Sequence, residues 1–165
     1  MLSDLSLLFV RELDALRREV ELYPTDADLW REVPGLPNSG GTLTLHLVGN
    51  LRSFIGATLG QTGYVRDRDA EFSLRGMSRP ELSALIAAAR REVADTMRSL
   101  DVSALPTEFP VAVGGVSLPT ELFLLHLLSH LGYHLGQIDY HRRASTGDAA
   151  SAQTLPLREL AVTKP

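Results

Sequence analysis

The chain predicts an all-α fold, a four-helix bundle with a long connection between its second and third helices, and three observations carry that expectation. Four stretches of about 18 to 26 residues place apolar side chains at helical spacing. No regular two-residue alternation of strand length runs through the chain. Prolines, glycines and capping residues punctuate the four stretches where helices start and stop. With 165 residues, 44% of them apolar, the sequence fits one domain over 1–165, its core at about 3–143 and a tail at 144–165.

The first helix is expected over Ser3–Leu22, with Leu5, Leu8, Phe9, Leu13, Leu16 and Val20 on its apolar side, and it stops before Pro24. From Pro24 to Gly41 the text is turn-forming, and Trp30 is its large apolar anchor, expected to lie over a bundle end. The second helix is expected over Thr42–Leu59, with His46, Asn50, Ser53 and Ala57 as a small or polar stripe beside Leu43, Leu47, Leu51, Phe54 and Ile55. The connection Gly60–Ser78 contains Arg66, Asp67, Arg68, Asp69 and Glu71, alternating in sign up to Phe72, which suits a solvated surface segment.

Ser78-Arg79-Pro80-Glu81 is a capping box with proline in the first turn, and it opens the third helix, whose buried side is carried by Leu82, Leu85, Ile86, Ala89, Val93, Met97 and Leu100. Phe109, Val111 and Val113 followed by Gly114-Gly115 suggest a loop or short extended piece. The fourth helix starts near Ser117 or Leu118, with Pro119 in its first turn, and runs to Arg143. The tail, rich in Ala, Ser and Thr and holding Pro156, is expected to wrap or fray.

Charge and cysteine content narrow the function. A formal charge of -4 gives no electrostatic reason to expect nucleic acid or an anionic membrane as partner. With no cysteine, any metal must rest on imidazole, carboxylate or amide groups. No apolar run is long enough for a membrane span and no secretory leader opens the chain, so a soluble, cytoplasmic protein is expected.

The fourth helix holds His126, His130, His134 and His141, which together with Gln137 fall within an arc of about 80°. A metal site of three histidines takes two ligands from one rigid element and a third from another, leaving a position open. The fourth helix can give the pair and the second helix His46. Periodicity alone leaves three pairs open: His126 with His130, His130 with His134, and His134 with His141. HLGYH lacks the glutamate of the HExxH metalloprotease pattern, and no Glu-x-x-His pair exists for a di-iron bundle.

His46 followed far downstream by His130-Leu-Gly-Tyr-His134-Leu-Gly-Gln137 resembles the DinB-like (YfiT-related) four-helix-bundle superfamily, with its lone second-helix histidine and later H-x3-H-x-G-Q; the similarity covers about Ser3 to Arg143. By position, the resemblance implies His46, His130 and His134 as ligands of a divalent metal, zinc or nickel foremost, and leaves His126 and His141 outside the ligand set; a single histidine on a helix is ordinarily a hydrogen-bonded core residue, and that is the expectation for these two. It further implies a homodimer and, for some members, transferase or isomerase chemistry on a small molecule with a low-molecular-weight thiol such as bacillithiol or mycothiol. DNA binding is not implied. With no cysteine in the chain, such a thiol would arrive as a cosubstrate. Gln137 and Asn50, each one turn from a ligand histidine, are placed to orient a bound group, and Tyr133 to reach the pocket rim or a partner; Asp139 points away. The alternative is a non-catalytic dimeric scaffold that binds a metal or ligand, distinguished by a site closed with a fourth protein ligand.

Overall fold

The computed structural model describes residues 1–153 and 157–160. Among them are six α-helices and no strand. Four long segments build the bundle: α1 (Leu2–Leu22), α3 (Gly40–Leu51) continued by a π-helical segment (Arg52–Leu59), α5 (Arg79–Ser99) and α6 (Thr120–Thr146). Two short helices sit in the connections, α2 (Asp26–Leu29) and α4 (Arg68–Ser73). Both α1 and α3 pack against α5 and α6. The pair α1 and α3 therefore lies on one diagonal and α5 and α6 on the other, while α3 and its π-helical continuation pack beside α5, so the connections after α1 and after α5 cross the bundle ends.

The core follows from the apolar stripes. Phe9, Leu13 and Leu16 of α1, Leu47, Leu51 and Ile55 of the second long segment, Leu82 and Ile86 of α5, and Leu124, Leu131 and Ile138 of α6 are all fully or almost fully buried. Truncating one of these leucines to alanine costs about 2–5 kcal/mol.

The ends of the helices are chemically defined. The predicted capping box at Ser78 is present, with the Ser78 amide donating to Glu81 Oε2 at 2.8 Å. A second box at Thr25 and Asp28 starts α2, a helix the turn-rich text did not suggest. Ser39 caps α3, which starts at Gly40, two residues before the expected Thr42. Pro119 sits at the N-cap of α6 rather than inside its first turn, and the helix continues three residues past Arg143 to Thr146, where Gly147 closes it at φ 74°.

Trp30 lies flat against Gly41 and donates its indole N–H to the Met77 carbonyl at 2.9 Å, holding the bundle end as expected. The tail wraps: Arg142 and Arg18 donate to the carbonyls of Ala150 and Ala152, and Ala152 is buried. Pro156 and residues 161–165 of that tail lie outside the described residues.

Two departures from the expected pattern position the site. In the π-helical segment the Gly60 amide donates to the Ile55 carbonyl at 3.0 Å, five residues back, so the helix gains a residue per turn there and the stripe begun by His46 and Asn50 breaks after its first turn. The connection read as solvated surface folds back onto the bundle as α4, and its Glu71 is buried.

Candidate metal centre

His46 comes from α3, and His130 and His134 from successive turns of α6, two helices in direct contact. One ligand-capable atom from each ring lies within 4.8 Å of the others, a cluster able to hold a metal ion. His46 Nε2 and His130 Nε2 are 3.3 Å apart. Two nitrogens each about 2.0–2.1 Å from a tetrahedral zinc-type ion lie about 3.3–3.4 Å apart, so this edge of the cluster already has the spacing of a metal site.

Proton placement supports the same fit. The Nδ1–H of His46 donates to Glu71 Oε2 at 3.0 Å, and the Nδ1–H of His134 donates to Gln137 Oε1 at 2.6 Å. A neutral ring that spends its one N–H on Nδ1 has a lone pair on Nε2. Burial lowers His130 to about 4, aided by its neighbours His134 and His46, and burial also lowers His134 against the opposing Gln137 bond. Both rings are therefore neutral at pH 7. His130 Nδ1 is buried with no partner. If that atom carries the proton, a buried donor is unmatched and two lone pairs face each other at 3.3 Å; if Nε2 carries it, a buried acceptor is unmatched. A cation on the Nε2 side removes the lone-pair conflict.

Glu71, hydrogen-bonded to His46, is a member of the site's surroundings that the spacing of histidines did not reveal. Arg66 clamps it with two charge-assisted hydrogen bonds, Nε to Oε1 at 2.6 Å and Nη2 to Oε2 at 2.8 Å. Burial pushes the Glu71 carboxyl up, but the Arg66 bonds and the His46 bond outweigh it and hold the group below its ordinary value. The result is an ionised carboxylate behind a histidine, which fixes the tautomer and the orientation of the ring. Gly49 makes room for it, since a Cβ there would overlap Glu71 Oε1. The readable signal was that mid-helix glycine, one turn from His46.

The cluster opens into a cavity of about 400 Å³ bounded by α3, α4 and α6. Asn50 lines it, buried, with Oδ1 lacking any hydrogen-bond partner. Phe72 covers His46 at a ring distance of 5.1 Å, and the Arg68 guanidinium lies 5.4 Å from the Phe72 ring. His126 is on the rim, exposed, its ring 6.3 Å from that of His130; it is not the buried core histidine expected. His141 is that kind of residue, with Tyr23 on one nitrogen and the Arg31 carbonyl on the other. Tyr133 is 65% exposed and stands outside the cavity lining, its ring 5.2 Å from that of His134. Asp139 pairs with Arg142 and Arg143, away from the cavity.

A helical bundle with three imidazoles converging below an open cavity defines a class of protein able to bind a metal ion. The chain belongs to the DinB superfamily, whose family model matches residues 8–138. No curated protein and no solved structure gives a significant match. No helix among the described residues is long and apolar enough to cross a membrane.

Proposed function

We propose that this protein is a metal-dependent enzyme in which His46, His130 and His134 hold a divalent ion, zinc or nickel foremost, and which acts on a small molecule with a low-molecular-weight thiol as cosubstrate, in transfer or isomerisation. The observation that carries this reading is the commitment of two Nδ1 atoms to Glu71 and Gln137, which leaves the Nε2 atoms of His46 and His134 without that bond in a three-histidine cluster whose ligand atoms lie within 4.8 Å of one another beside an open cavity. A divalent ion bound by three neutral imidazoles keeps its full charge and supplies Lewis acidity, lowering the pKa of a thiol or water near neutral pH. The cluster has three members among the described residues, so a fourth position is left for an exogenous group, as catalytic sites require.

The chain's own residues do the rest. Glu71 and Arg66 fix the His46 ring, Gln137 fixes His134, and Asn50 offers a buried acceptor to an N–H or O–H donor in the cavity. Phe72 and Phe54 exclude water on the α3 side. A reduced thiol cosubstrate suits a cytoplasmic setting, where thiols are kept reduced.

The same reading includes a homodimer. Leu122, Leu125, Tyr133 and Tyr140 are exposed along one stripe of α6, with Ser129, Gly132 and Gly136 between them, a face suited to close approach of a second copy. Elemental analysis of protein purified without added metal is expected to give one divalent ion per chain, and a screen of small electrophiles with and without thiol is expected to return a thiol-dependent activity. Metal-free protein that takes up no zinc, nickel or cobalt on titration would end this reading.

A further inference from the structure

Beside the metal-centre cavity lies a second chamber of about 220 Å³, and its walls are almost wholly apolar. The segment 108–119 forms it as a small hairpin. Val113 and Val116 exchange backbone hydrogen bonds at 3.0 and 3.1 Å across Gly114 and Gly115, whose φ values of 61° and 78° make a two-residue turn that favours glycine. The hairpin is tied to the start of α6 by the Phe109 amide donating to the Leu118 carbonyl at 2.9 Å and the Thr120 amide to the Thr107 carbonyl at 2.8 Å. The chamber is thus held by backbone hydrogen bonds at both ends of the hairpin.

Its floor is the pair Phe109 and Phe123, both buried, with rings 4.4 Å apart. Its outer wall is Val111 and Val116, 43% and 55% exposed. Exposed valines on a fixed hairpin are costly to hydrate, and here they border a place where apolar surface continues inward to Phe109 and Phe123. Val113, Phe123 and His126 line both this chamber and the metal-centre cavity. The Phe123 and His126 rings stack at 6.0 Å, and His126 stands 6.3 Å from His130, so one wall runs from the chamber to the histidine cluster.

We infer that this chamber seats an apolar group of the small molecule that reacts at the His46–His130–His134 centre, so that the substrate or its thiol partner is amphipathic, with a ligating head and a short aliphatic or aromatic arm. The inference rests on the metal-dependent reading of that centre. A cavity of about 150 Å³ holds benzene. A chamber of about 220 Å³ takes a phenyl ring or a branched chain of similar bulk.

The test uses the cobalt(II)-loaded protein and straight-chain alkanethiols from ethanethiol to hexanethiol, read by the thiolate-to-cobalt charge-transfer band, the thiol proton passing to buffer. Affinity is expected to rise about fourfold for each methylene that passes the Phe123–His126 wall. Val116→Asp, and independently Val111→Asp, on exposed positions, are expected to remove that increment. Equal affinities along the series, or an undiminished increment in both variants, overturn the inference while cobalt and thiol binding keep the metal reading. Absence of cobalt uptake overturns both. A Val116→Asp variant that changes oligomeric state in sedimentation and keeps the increment gives the hairpin to a second copy of the chain, and also overturns the inference.

Discussion

Helix α6 carries two histidine sites about two turns apart, the half-buried pair His130 and His134 and the buried His141, and they differ in how their hydrogen bonds are spent. At His141 both ring nitrogens are occupied, Nδ1 by the Tyr23 hydroxyl at 2.8 Å and Nε2 by the Arg31 carbonyl at 2.9 Å. Its neighbour Arg142 is fully buried and bonds Glu19, Asp139 and the carbonyl of Ala150; Glu19 Oε1 alone in that network is buried without a partner. At His134 one ring nitrogen is spent on Gln137, while His130 has no partner at Nδ1 and turns Nε2 toward His46 Nε2, and both rings line a cavity. Both sites are withdrawn from solvent, His141 fully and the pair in part. The difference is whether lone pairs remain, and that decides which cluster is structural and which can bind.

The largest effect expected is on metal retention. His130→Ala is expected to weaken zinc or nickel binding by more than about 100-fold, beyond what loss of an outer partner causes. His141→Ala is expected to leave metal stoichiometry unchanged and to lower stability in urea by about 1–3 kcal/mol, because the Tyr23 hydroxyl and Arg31 carbonyl lose a buried partner. Metal loss in the second variant, measured by elemental analysis, would erase the distinction between the clusters.

Next comes Arg142→Ala. Removing one partner of a buried pair leaves Glu19 uncompensated and is expected to cost about 3–5 kcal/mol in chemical denaturation, with metal affinity of the folded fraction intact. Smaller is Glu71→Gln. It keeps the shape but loses the charge that holds the His46 proton on Nδ1, and metal affinity is expected to fall about 10–100-fold. Isothermal titration with zinc on both proteins reads this directly, and equal affinities would remove Glu71 from the site.

How far this contrast could be read from the chain depends on the range over which each feature is encoded. The helices follow from spacing within a dozen residues, and the Ser78 box from four, so both were legible. The pairing of His46 with His130 and His134 required the family motif, since spacing alone left three pairs open. Glu71 was missed because a sign-alternating run looks the same whether it faces solvent or folds inward; its burial depends on meeting a glycine on another element, Gly49. His126 shares the helical arc of His130, but at its level on α6 the ring meets the hairpin chamber instead of α3. Arg142 sits in a His-Arg-Arg run that resembles a solvated helix end, and it is buried by distant partners, Glu19 of α1 and the returning tail. The π-helical turns after Leu51 leave no periodic trace, because one added residue per turn shifts the register without changing composition.

The smallest effect, and the sharpest separation of the two clusters, is in pH. Burial lowers the His141 pKa, against the opposing Arg31 carbonyl bond. A histidine with a folded-state pKa below its unfolded one takes up more protons when unfolded, so stability rises with pH through that interval. Its contribution is full above the ordinary histidine pKa of about 6.5 and is lost as pH falls below it toward the folded value. In metal-loaded protein the ligand rings are held unprotonated, so the slope of unfolding free energy between about pH 6.5 and 5 is expected to shrink in His141→Phe while the metal stays bound. An unchanged slope in that variant, from urea curves at stepped pH, would mean that His141 is as free to protonate in the fold as outside it, and that burial does not hold it neutral.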